Sequence, residues 1–176
     1  MTQSGDVRFH FRYSGGSPWH PTHKGDDFNP ACDAALRIGG TWIPGENSHG
    51  IVYFEASEVS FLNEILRVLK RLYSGQAEVT MHAGNQGFLH SERVEHDHVR
   101  VTNHYSEEGI TDESERLGIE NTGVCPLHSL AEATLKRVRT IISYGRDASL
   151  PGTTANLFHV LEENAQYVEW EADQLQ

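Results

Sequence analysis

The chain has 176 residues, with 25 Asp/Glu against 14 Lys/Arg and a net charge of −11. It is most simply one globular domain, residues 1–176, large enough to bury a core. Its longest apolar run, Ile51 to Phe54, falls far short of the ~20 residues a membrane span needs, and its acid excess disfavours direct nucleic-acid binding.

Met1 to Asp6 lacks a basic stretch followed by an apolar one, so no signal peptide and a cytoplasmic location are expected. Val7, Phe9, Phe11 and Tyr13 alternate with Arg8, His10 and Arg12, the period of a strand with one apolar face. Residues 14–29 form a long loop in which Trp19 argues for order, because an indole is costly to leave in water. His20, His23, Asp26 and Asp27 make a polar cluster there, suited to metal or acid–base work but more ordinarily a solvated loop. Asn29-Pro30, Asp33 and Gly39-Gly40 frame a short helix over residues 31–38, against a competing strand over 36–43. Residues 44–47 read as a turn and 51–55 as a central strand.

Residues 57–73 place nine apolar side chains on one broad helical face, and Gly75 supplies a terminator. Such a face predicts a helix laid flat on a sheet. Residues 78–82, 88–94 and 99–105 follow as a meander of strands. Residues 106–123, dense in acid and Gly, read as a long exposed loop with one turn of helix. A second helix spans 127–144, closed by Gly145, with a capping box at Ser129 and Glu132 competing against an earlier start at Cys125-Pro126. Lys136, Arg137 and Arg139 line its far side, as a solvated face or paired with acids of 106–120. A third helix opens near Thr153 or Thr154, with residues 166–170 as an alternative last strand. The sum is an α+β domain: a mostly antiparallel sheet of about five strands with two to three helices packed on one face.

The acid is unevenly placed. Residues 1–91 carry a net −2, residues 92–120 −6, residues 121–146 +3 and residues 147–176 −6. Two segments therefore hold more than the whole surplus. Glu107, Glu108, Asp112, Glu113, Glu115 and Glu120 fall in one predicted loop, with Tyr105 at its border. Glu163, Glu169 and Glu171 fall near the C-terminus beside Tyr167 and Trp170. Complementary charge sets encounter rate and selectivity, while aromatic anchors supply affinity. These residues are the expected partner-binding set.

Other chemistry is thinly signalled. Cys32 and Cys125 belong to no Cys-x-x-Cys pair and read as free, buried thiols. No nucleophile elbow, phosphate loop or dinucleotide fingerprint occurs. His96 and His98 would share one face if residues 94–102 were a single strand, a spacing that suits zinc or another divalent metal, with His82, His90 or Asp97 completing the set. If residues 95–98 instead form a hairpin tip, the pair is simply solvated. The expectation is a non-enzymatic acidic binding protein without a cofactor. It would be a bacterial or phage inhibitor or immunity protein blocking a basic partner such as a nuclease toxin. A metal-dependent enzyme with a His-centred site and a structural or assembly subunit, using helix 57–73 at an interface, are the alternatives.

Overall fold

The computed structural model describes residues 5–19, 28–95, 97–116, 120–150 and 152–174. It is an α+β domain of antiparallel sheets and helices around one hydrophobic core. The strands are divided between two four-stranded sheets and a separate two-stranded hairpin.

The first sheet is organised around β2 (Ala31–Ile38). One edge of β2 pairs along its length with β1 (Val7–Arg12), in register from Val7 opposite Ile38 to Arg12 opposite Asp33. Its other edge is shared. β3 (Thr41–Ile43) pairs with residues 36–38 and β6 (Phe54–Ser57) with residues 31–34. The hairpin of β4 (Gly45–Asn47) and β5 (Gly50–Val52) is inserted between those two strands. Residues 51–55 are accordingly split between two strands.

The helix expected over residues 31–38 is not formed. Cys32, Ala34, Leu36 and Ile38 are buried at alternate positions, and a strand hydrogen-bonded on both sides outweighs the modest helix propensity of three alanines. Gly39 and Gly40, at φ +58° and +102°, are not a helix terminus but the two-residue turn joining β2 to β3. Asn29 does cap a helix, though not that one. Its Oδ1 accepts from the Ser60 backbone N–H at 3.1 Å, in the first turn of α1 (Glu58–Tyr73).

The second sheet is a meander in the order β10-β9-β8-β7, built from β7 (Glu78–His82), β8 (Phe88–Arg93), β9 (His98–His104) and β10 (Thr122–Pro126). β10 was expected to be loop and helix lead-in. Gly and Pro weaken its strand signal, and an edge position tolerates both. Gly123 brings this edge onto the first sheet: a Cβ there would lie 2.5 Å from Ile38 Cβ.

α1 lies at the centre, against β6, β7 and two long helices, α3 (Leu127–Asp147) and α4 (Gly152–Gln174). α2 (Glu108–Thr111) is the single turn expected in the acidic loop. α3 adopts the earlier start, after Pro126, and does not stop at Gly145. Gly145 is there for space: a Cβ would meet the Phe158 ring at 2.5 Å and the Phe28 ring at 2.9 Å. α4 is helical throughout, so no strand forms at 166–170, and Leu161, Asn164, Ala165, Val168 and Ala172 form its buried stripe. Asn164 donates to Asn63 of α1 at 2.9 Å inside this interface. Among the described residues no helix is long and apolar enough to cross a membrane.

Candidate functional site

The acidic loop is shaped from within. Ser106 Oγ accepts from the Gly109 N–H at 3.1 Å and donates to the Glu115 carbonyl at 3.1 Å, pinching the segment shut. Asp112 accepts from both the backbone N–H and the hydroxyl of Ser114, which holds its carboxyl below the usual carboxylate range. Arg116 reaches back to the Gly109 carbonyl and pairs with Glu113 at 3.2 Å. Within this frame Glu107, Glu108, Asp112, Glu113 and Glu115 are all exposed. The carboxylates of Glu107, Glu108 and Glu115 have no hydrogen bond or ion pair among the described residues. Glu120 differs. Its side chain is only 13% exposed, held by His104 Nδ1 at 2.7 Å and Arg116 at 3.3 Å.

The C-terminal acids lie on α4, which packs on α1 and α3. Glu162 accepts from Arg146 at 3.2 Å and Glu169 from Arg139 at 2.9 Å, so two of them fasten α4 to α3. Arg139 and Arg146 of α3 therefore find their partners on α4, not in the loop 106–120. Glu163 stays exposed beside His159 at 3.3 Å. Tyr167 carries Lys70 over its ring at 4.7 Å, and its hydroxyl rests against Glu171, which raises its pKa. Trp170 is 58% exposed. No hydrogen bond or ion pair joins α4 to residues 105–116 among the described residues.

Arg137, expected on a solvated face, turns inward. Its Nε donates to Glu58 Oε1 at 2.6 Å, and Glu58 is fully buried. Glu58 Oε2 also accepts from the Trp19 indole at 2.6 Å and from the Tyr13 hydroxyl. A Glu in the first turn of a helix ordinarily reads as a surface acid favoured by the helix dipole. Its partners at positions 13, 19 and 137 are too distant in sequence to correct that.

Both thiols are buried and free, as expected. Burial pushes Cys125 up to about 12, and burial with the nearby Glu58 and Asp33 carboxylates pushes Cys32 up to about 12. At pH 8 the native protein should not react with an aromatic disulfide reagent on the minute scale, whereas guanidinium should release both thiols. Prompt native reactivity at either cysteine would show that its site opens.

Histidines dominate the outer face of the second sheet. His82 on β7, His90 on β8, and His98 and His104 on β9 share one face with Thr80, Thr102 and Thr122, although His104 and Thr102 are buried there. β8 and β9 pair as an antiparallel hairpin, with the Val94 N–H donating to the His98 carbonyl at 3.2 Å. His98 leans on Asp97 at 2.7 Å. His96 lies outside the described residues, as do His20, His23, Asp26 and Asp27. A different trio converges on this face: ligand atoms of Glu78, His90 and Glu92 all lie within 4.8 Å of one another. His90 is 12% exposed, and its burial lowers the pKa, favouring the neutral imidazole. Strand register could have signalled the trio, because Glu78 faces Glu92 directly and His90 is two residues along the same face.

Comparison with protein-family models, curated proteins and solved structures finds no match to this chain.

Proposed function

We propose that this chain is a non-enzymatic binding protein that docks a basic protein through the acidic loop 105–116. In kind it would be a bacterial or phage inhibitor or immunity protein occluding a nuclease or another nucleic-acid-binding protein. One observation carries the reading: Glu107, Glu108 and Glu115 are unneutralised, while most arginines are engaged in internal ion pairs. The charge left for a partner is therefore negative, and it is presented on a loop whose backbone is already ordered by Ser106 and Asp112. Such a loop steers a cationic surface into contact and loses little entropy on binding. Trp170 and Tyr167 lie on α4 and are not needed for this reading.

The test is binding to the basic proteins encoded beside this chain's own gene, measured at two salt concentrations. Raising salt from 50 to 300 mM is expected to weaken the complex about tenfold or more, chiefly through the association rate. Neutralising Glu107, Glu108, Asp112 and Glu113 together, as Gln or Asn, should lower affinity by a similar factor and flatten the salt dependence. Asn at 112 keeps the oxygen that caps Ser114, so the loop should hold its shape. A complex indifferent to both salt and these substitutions would remove the reading.

A further inference from the structure

We propose that Glu78, His90 and Glu92 form a binding site for one divalent transition-metal ion, zinc by its donor set, on the open face of the second sheet. The antiparallel register places Glu78 opposite Glu92, with His90 diagonal to Glu78 and two residues from Glu92 on the same face. Their ligand atoms already converge within 4.8 Å. A tetrahedral zinc with ligands at ~2.0–2.1 Å needs donors about 3.4 Å apart, a closure that rotation of the Glu side chains supplies.

The imidazole is set up for this. Thr80 Oγ1 lies 2.9 Å from His90 Nδ1, anchoring one side of the ring, and the other nitrogen, Nε2, faces Glu78 at 3.6 Å. A hydrogen bond at the far ring nitrogen is how metal-ligating histidines are oriented. Glu92 is held by Arg100 from the neighbouring strand. One carboxylate oxygen can remain with that guanidinium while the other turns to the ion, which places Arg100 in the outer shell. Two carboxylates and one neutral imidazole balance a dication. Three protein ligands on an outward-facing surface leave the fourth position to water. His98 is not among its ligands.

The experiment uses the full chain purified without an affinity tag, stripped with a chelator and reloaded with zinc, with cobalt as a spectroscopic probe. One zinc per chain is expected by elemental analysis, together with visible cobalt absorption at low coordination number. Glu78→Gln and His90→Gln should each weaken zinc binding by at least about tenfold, Thr80→Val by about tenfold through the outer shell, and His98→Ala should leave it unchanged. Glu78 is 69% exposed, so Glu78→Gln decides the matter even if His90→Gln misfolds. Substoichiometric zinc in the parent protein, full zinc in Glu78→Gln, or loss of zinc in His98→Ala would each overturn the assignment.

Discussion

Arg137→Met should cost about 3–5 kcal/mol of folding stability, the range for removing one partner of a buried ion pair. Glu58 is fully buried in the first turn of α1, and its two oxygens are shared by three side chains. Arg137 Nε binds Oε1 at 2.6 Å, while Oε2 takes the Trp19 indole at 2.6 Å and the Tyr13 hydroxyl. Arg137 Nη2 donates in turn to the Tyr13 oxygen at 2.6 Å, closing a ring of hydrogen bonds. The guanidinium also lies over the Phe11 ring at 5.1 Å. Methionine can keep the stem packed on Phe11 but removes the only cation bonded to this carboxylate among the described residues. The neutral donors that remain cannot balance its charge. Adding Glu58→Gln to Arg137→Met should recover a large part of the loss, because the cost lies in the stranded charge more than in missing contacts. Denaturant unfolding of the two single variants and the double variant measures this. A loss under about 1 kcal/mol for Arg137→Met, the scale of a solvated pair, would mean that water reaches Glu58.

Gly84→Ala is expected to destabilise by more than about 3 kcal/mol, from two causes that add. Gly84 has φ +60°, where a side chain costs about 1–2 kcal/mol. A Cβ there would also be driven into the backbone of β6, well inside contact with the Glu55 carbonyl oxygen and 3.2 Å from its carbon. Backbone cannot rotate away as a side chain can. The turn between β7 and β8 would have to lift off β6, straining the 2.9 Å bond from the Glu55 N–H to Asn85 Oδ1. Gly75→Ala is the control, since Gly75 also has positive φ, +97°, but nothing within 4 Å of its added carbon. Its loss should stay near 1–2 kcal/mol. Equal losses at the two positions would mean that the turn does not press on β6 in solution.

Several internal pairings were within reach of the chain's own spacing. Arg139 and Arg146 are seven residues apart on α3, and Glu162 and Glu169 are seven apart on α4. Two antiparallel helices with matching heptad charges can zip along one seam. The Glu78, His90 and Glu92 trio depends on the pairing register, because the two glutamates, far apart in sequence, face each other only once β7 pairs with β8. β8 and β9 pair as an antiparallel hairpin, and among the described residues it is the β7–β8 register that brings a histidine beside two carboxylates.

Long periodic segments were determined by the sequence alone. The helices near 58–73 and 127–144 and the strands near 7–12, 78–82 and 88–93 each repeat an apolar face often enough to specify their type before any partner is known. Segments 31–38 and 122–126 were decided only by tertiary structure. They are short, and they become strands because neighbours far away in sequence complete their hydrogen bonds. The acid surplus divides in the same way. Its segmentation was plain from the order of residues. Which carboxylates are internal, such as Glu58, Glu120, Glu162 and Glu169, and which are left to face a partner depends on where cations arrive from other elements. Charge pairing acts over a few ångströms in space, whatever the distance along the chain.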